Sequence, residues 1–166
     1  MVNIRKAAMI GCGFVGSSSA FALMQSGIFS EMVMIDVNRE KAEGEAMDIA
    51  HGLPFARPIR LYAGTYDDIV DAAIIIITAG ANQKPDETRL DLIHKNAEIY
   101  KTIIPEIAKR NCEGMLLIVS NPVDILTYTA LKLSGFPENR VLGSGPVLAT
   151  ARLKYLIGEH LKVDNR

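Results

Sequence analysis

The segment Gly11-Cys12-Gly13-Phe14-Val15-Gly16 has the spacing GxGxxG. Glycines at that spacing recur by chance, so their flanks decide what they mean. A short apolar run at 6–10 precedes them and a helical pattern at 15–26 follows, which is the strand–turn–helix setting of a phosphate-binding turn. In that setting Gly11 permits the tight turn, Gly13 lets the backbone approach a pyrophosphate, and Gly16 lets helix and strand pack closely. The helix N-terminus then presents N–H groups and a partial positive charge to phosphate oxygens. Asp36 ends the next apolar run, 20 residues past Gly16. A carboxylate there accepts hydrogen bonds from the adenosine ribose hydroxyls and repels a 2′-phosphate, which favours NAD over NADP. The plainer role for Asp36 is to cap the helix that follows. Turn, context and spacing together favour the nucleotide. Cys12 reads as a small filler of the turn rather than a reactive thiol.

For these groups to meet, the elements around them must form a layered sheet. Apolar β-rich runs at 6–10, 31–35, 73–78, 115–119 and 141–143, with a weaker one at 60–63, alternate with helical patterns at 15–26, 39–50, 90–110, 122–133 and 147–161. The run at 73–78 is apolar on both alternating faces, as a strand buried between two helix layers should be. Ala42, Ala46, Ile49 and Ala50 share one helix side, and Ile93, Ala97, Ile104 and Ile107 share another. Pro105 should kink that second helix, because it lacks an N–H and crowds the preceding turn. Pro122 is placed to open the helix at 122–133, and Gly135 to stop it. The alternation implies an α/β fold, a Rossmann-type doubly wound parallel sheet with right-handed crossovers.

The chain has 166 residues, enough for one domain or slightly more. Apolar residues at 49% and charged residues at 22% argue against global disorder. Eighteen Lys+Arg against nineteen Asp+Glu give a net charge of −1, so no positive excess exists to neutralise a nucleic-acid backbone. Two cysteines and three scattered histidines make neither a disulfide framework nor a zinc site, and a reducing cytoplasm is the simplest setting. Residues 7–30 carry no charge and follow Arg5-Lys6, as in a secretory leader. Gly11, Gly13, Gly16, Ser17, Ser18, Ser19, Gln25 and Ser26 interrupt that run, which argues against a leader and against a bilayer span.

Over its whole length the chain resembles the amino-terminal half of members of the lactate/malate dehydrogenase family, specifically its bacterial L-lactate dehydrogenase branch. The pieces that carry the resemblance are Ile10-Gly-Cys-Gly-Phe-Val-Gly16, Ala79-Gly-Ala-Asn-Gln-Lys-Pro85, Glu87-Thr-Arg-Leu-Asp-Leu92, Val119-Ser-Asn-Pro-Val-Asp-Ile125 and Ala151-Arg152. The resemblance implies hydride transfer between NADH and pyruvate, a small-molecule substrate. It implies a homo-oligomer, dimer or tetramer, with the helix at 39–51 in a subunit contact. It divides the chain into an NAD-binding domain at 1–144 and, at 145–166, the first helix of a truncated substrate domain. The cofactor-binding residues it implies are Gly11, Gly13, Phe14, Val15, Gly16, Asp36, Lys41, Tyr66, Gly80, Ala81, Val119 and Asn121. Segment 82–88 corresponds to a mobile lid. Arg89 corresponds to the arginine that polarises the substrate carbonyl, a cation aimed at developing negative charge. Arg152 corresponds to the arginine that clamps the substrate carboxylate through two parallel hydrogen bonds. Asn121 is implied to bond substrate on the nicotinamide side and to precede a cis peptide at Pro122. Gln83 stands where malate-specific members place arginine, so pyruvate is expected rather than oxaloacetate.

The pattern also breaks. The family's proton-donating histidine belongs to a Gly-Glu-His-Gly context that this sequence lacks; Gly158-Glu159-His160 is followed by Leu161. Ala149 stands where an aspartate orients that histidine, Pro146 where threonine is usual, and Asp86 where the lid has glycine. Lys154 matches a basic position that helps bind fructose 1,6-bisphosphate in many bacterial members. A non-catalytic NAD-binding module and a malate dehydrogenase-like enzyme are the competing readings.

The 166-residue chain should bind NADH well and NADPH much more weakly, and Asp36→Ala should narrow that difference. Fluorescence titration with both cofactors is the check. Equal affinities in the unmodified chain would sink the ribose-binding role of Asp36.

Overall fold

The computed structural model describes residues 1–164. Six strands, β1 (Asn3–Ile10), β2 (Glu31–Ile35), β3 (Arg60–Ala63), β4 (Ala72–Ile77), β5 (Met115–Ile118) and β6 (Val141–Gly143), form one sheet. Their spatial order is β3-β2-β1-β4-β5-β6, and every neighbouring pair is parallel. The chain thus starts in the middle of the sheet, winds to one edge, returns, and winds to the other. Ile10 pairs with both Ile35 and Ile77, so β1 and β4 meet where the winding reverses and the loops beyond them part.

Four helices connect strands, α1 (Phe14–Ser26), α2 (Arg39–Ala50), α3 (Arg89–Ala108) and α4 (Val123–Ser134), and a fifth, α5 (Val147–Leu161), follows β6. The return from β3 to β4 uses no α-helix, only a 3₁₀ turn at Tyr66–Ile69. Thr65 and Asp68 cap that turn reciprocally, the Thr65 side chain accepting from the backbone and Asp68 accepting from the Thr65 N–H at 2.7 Å.

The strand alternation divides the core. Ala7, Met9, Met32, Met34 and Ile76 pack with Ala20, Met24, Ala42, Ala46 and Ile49 of α1 and α2. Ala8, Ile10, Val33, Ile35, Ile75, Ile77, Leu116 and Ile118 pack on the other side with Tyr100, Ile104, Ile107, Leu126 and Ala130 of α3 and α4. Each fully buried Ile or Leu contributes about 1.5–3 kcal/mol of hydrophobic stabilisation. A doubly wound sheet needs both clusters, which explains why the central strands are apolar on both faces.

Four expectations need correction. The buried line of α3 runs through Asn96, Tyr100, Ile103, Ile104 and Ile107, while Ile93 and Ala97 are half-buried. The early part of the helix turns its Asn96/Tyr100 edge inward, where Asn96 bonds to the backbone of Ala81 and Asn121. Pro122 is the N-cap of α4 rather than its first helical residue. β5 ends at Ile118, so Val119 begins the loop. β1 starts at Asn3, which pairs with Ala72 at the start of β4, while Lys6 pairs with Glu31 of β2. Gly135 ends α4 in the left-handed region at φ 66°. In α5 only Gly158 is buried, so this helix joins neither layer.

Tyr100 is fully buried, and its hydroxyl finds no hydrogen-bond partner among the described residues. Burial pushes its pKa up to about 12. The neighbouring Ser120 hydroxyl acts against that rise, and itself donates to the Ala79 carbonyl at 2.6 Å. An orphaned hydroxyl costs more than its absence. Tyr100→Phe should therefore raise stability by about 1 kcal/mol in urea denaturation; a loss of that size would show that the hydroxyl is satisfied.

Candidate cofactor-binding groove

The turn after β1 is locked to the end of β4. The Gly11 N–H donates to the Ile35 carbonyl at 2.7 Å and the Ala79 N–H to the Ile10 carbonyl at 3.0 Å. Thr78 Oγ1 donates to the Gly11 carbonyl at 2.8 Å. Gly11 has φ 101°, and a Cβ there would lie 2.5 Å from the Ala79 nitrogen. At Gly16 a Cβ would lie 1.9 Å from the Gly11 carbonyl oxygen. Neither position has room for a side chain. Around Gly13, by contrast, a Cβ would meet nothing within 4 Å, so its backbone faces open space. Gly13 is the N-cap of α1, and no side chain caps that helix.

Asp36 does more than the spacing shows. Its Oδ2 accepts from the Cys12 N–H at 2.7 Å and its Oδ1 from the Asn38 N–H at 3.0 Å. One carboxylate therefore braces the glycine turn from the neighbouring strand. Each oxygen keeps acceptor capacity for a further donor. The alternative role of capping the helix that follows belongs to Asn38, whose side chain accepts from the Lys41 N–H at 3.0 Å.

A groove of about 590 Å³ runs along the carboxyl ends of the strands, lined by Gly11, Gly13, Asp36, Lys41, Tyr66, Gly80 and Ala81 among others. It continues past Thr78, Gly80 and Ala81 into a second hollow of about 270 Å³. Val15, Gln83, Asn96, Val119, Ser120 and Asn121 line that hollow. The structure thus brings most of the expected residues together. Gly16 supports the turn from beneath. Phe14 is 93% exposed and lines neither hollow, so only its place in the first turn of α1 bears on the site. Arg89, the first residue of α3, and Arg152 on α5 are exposed and also line neither. All three histidines, His51, His94 and His160, are exposed and outside the groove. The Asn121–Pro122 peptide is cis.

Segment 82–88 bonds to itself and to the start of α3. Gln83 Nε2 donates to the Glu87 carbonyl at 2.7 Å, and Glu87 pairs with Lys95. Lys95 and the Lys84 N–H hold the Glu87 carboxyl below the usual carboxylate range. Thr88 and Asp91 form a capping box at the start of α3. Among groove residues the expectations missed Thr78, Ser120 and Asn96. Asn96 had a signal: a polar residue on the same helix edge as Tyr100, Ile103 and Ile107.

Open space at Gly13, an uncapped helix end and a braced carboxylate at one end of an elongated groove suit a dinucleotide. Together with the reversed strand order they define a dinucleotide-binding domain. Residues 5–143 match the family described as lactate/malate dehydrogenase, NAD binding domain. The chain belongs to the lactate/malate dehydrogenase family, and its cofactor is NAD. It is 58% identical over 163 residues to an L-lactate dehydrogenase of Acetivibrio thermocellus, covering 98% of this chain and 51% of that protein. It is 57% identical to L-lactate dehydrogenase 1 of Clostridium acetobutylicum, covering 97% and 51%. The crystal structure of the minor L-lactate dehydrogenase of Enterococcus mundtii superposes with TM-score 0.94 at 45% identity, covering 98% of this chain and 52% of that one. The chain spans about half the length of the relatives it matches.

Cys12 is fully buried in the turn, and burial, then the charges of Asp36 and Glu45, push its thiol up to about 12. The reactive thiolate is therefore only a minute fraction at neutral pH. Native protein at pH 8 should therefore leave Cys12 unmodified by a thiol reagent, with reaction appearing as pH nears 12 or on unfolding. Rapid modification at pH 8, read by mass spectrometry, would contradict this.

Proposed function

We propose that this chain is the cofactor-binding part of an NAD-dependent L-lactate dehydrogenase acting on pyruvate and L-lactate. The observation that carries the reading is the continuous groove from Asp36 to Asn121 with the neutral Gln83 on its wall. A groove closed by an arginine would suit a dicarboxylate; glutamine offers no charge to a second carboxylate. Relatives named L-lactate dehydrogenase at 57–58% identity support the same substrate.

When bound, NADH supplies the hydride that reduces the ketone carbon of pyruvate, giving NAD⁺ and, with one proton taken up at the ketone oxygen, L-lactate. In this reading Asn121 orients substrate at the far end of the groove. Arg89, at the foot of the lid, stabilises negative charge on the ketone oxygen once segment 82–88 closes. Arg152 holds the carboxylate in a two-pronged ion pair. Residues 1–144 form the NAD-binding domain and 145–166 begin a substrate domain; the last two residues of that segment lie outside the described ones. What supports this boundary is the family match ending at residue 143 and a helix α5 whose large apolar residues are exposed. A homo-oligomer using α2, where Met47 is exposed, and a cytoplasmic location complete the reading. No described helix is long and apolar enough to cross a membrane.

The 166-residue chain alone should bind NADH yet reduce pyruvate negligibly. No described histidine lines the groove, and a positioned acid–base group contributes roughly 10²–10⁴-fold. Adding the carboxyl-terminal half of the Acetivibrio thermocellus relative should yield NADH oxidation with pyruvate and little with oxaloacetate, limited by Ala149. A preference for oxaloacetate would favour the malate reading, and NADH binding without turnover in the reconstituted protein would favour a non-catalytic module. Turnover by the chain alone, at on the order of 10–10³ per second, would overturn this reading and mean that His160 or another group of this chain supplies the proton.

A further inference from the structure

Two walls of the groove come from separate loops, one after β4 and one after β5. Ala81 stands on the first and Asn121 on the second. Asn96 spans them from below. It is 1% exposed, on a helix edge otherwise apolar. Its Oδ1 accepts from the Ala81 N–H at 2.7 Å, and its Nδ2 donates to the Asn121 carbonyl at 2.7 Å. Nδ2 also approaches the Ala81 carbonyl at 3.5 Å. Nearer the sheet, Ser120 Oγ makes a second tie to the Ala79 carbonyl at 2.6 Å.

The crosspiece needs a donor and an acceptor on one short side chain. Leucine has the size and neither function. An ionised aspartate accepts and cannot donate, and it would face the Asn121 carbonyl with negative charge. Buried polar groups left without partners draw the backbone towards other solutions, so either change should let the two loops separate.

We propose that Asn96 is a positioning residue for the nicotinamide end of the bound cofactor: it fixes the Ala81 backbone relative to Asn121. The inference rests on reading the groove as an NAD site with adenosine at Asp36. The cofactor is elongated, and the glycine turn meets its pyrophosphate, so the nicotinamide must extend to the Asn121 end. Asn96 lines only that hollow and not the one holding Asp36. Ala81 stands where the two hollows meet and Asn121 lines only the second, so the effect of Asn96 is expected at that junction and beyond it, away from Asp36.

The test uses the 166-residue chain and two probes, NADH and AMP, titrated by calorimetry at pH 8. AMP reports the adenosine end alone. Asn96→Leu and Asn96→Asp should each weaken NADH about tenfold, the worth of a well-placed hydrogen bond, and leave AMP within about twofold. Unchanged NADH affinity in a folded variant overturns the proposal. Equal losses for both probes also overturn it, since they mark a general structural role. An unmodified chain that binds AMP but not NADH refutes the groove reading itself, and the proposal with it. If neither variant folds, NMR on the unmodified chain decides. NADH, and not AMP, should shift the Asn96 side-chain amide together with the Ala81 N–H; resonances unmoved by NADH overturn the assignment.

Discussion

The groove depends on how closely the backbone at the end of β1 approaches the backbone at the end of β4. Gly11 and Gly16 leave no space for one extra carbon, with contacts of 2.5 Å and 1.9 Å awaiting a Cβ. That closeness seats the first turn of α1 over the point where the sheet reverses. It also aims an uncapped helix end into the crevice between diverging loops. A larger residue at either position would lift α1 from the sheet and remove the phosphate cradle. Packing and binding thus share one constraint. Gly13 differs from the other two, since its missing side chain leaves room for a ligand rather than for the protein.

Apolar contacts locate the layers, but hydrogen bonds set the loops. The two core clusters hold helices against the sheet without specifying how the loops beyond the strands lie, because dispersion and hydrophobic burial are weakly directional. Directional ties supply that information. Asp36 reaches back to the Cys12 N–H, Thr78 to the Gly11 carbonyl, Ser120 to the Ala79 carbonyl, and Asn96 to Ala81 and Asn121. These ties join segments far apart in the chain, and together they frame the two ends of the groove.

Segment 82–88 and α5 are held differently. The bonds of segment 82–88 run within it, from Gln83 to Glu87, and onto the start of α3, from Glu87 to Lys95 and from Thr88 to Asp91. On α5, Leu148, Leu153, Leu156 and Leu161 face away from both core clusters. Arg89 directly follows that segment as the first residue of α3 and Arg152 lies on α5; both are exposed and stay outside the groove in which the cofactor residues assemble.

Much of this was legible in the residues. Strand and helix alternation, the two-faced apolar strands, the glycine turn and Asp36 all follow from local periodicity and spacing, and the structure places them as an α/β sheet of the expected type. Segments 31–35, 60–63, 141–143 and 147–161 form at their expected bounds. The line of α3 did not follow, because hydrophobicity points to Ile93 and Ala97, whereas the fold turns Asn96 inward to meet two backbone groups contributed by other elements. The same holds for Asp36, whose second role needs Cys12 beside it, and for Tyr100, whose hydroxyl is stranded by what surrounds it. Local sequence determines what an element is and which side is apolar, since those depend on neighbours three or four residues away. Which polar atoms meet across 15, 24 or 25 residues of chain is decided only when the sheet brings its loops together, because a hydrogen bond depends on tenths of an ångström that no periodicity encodes.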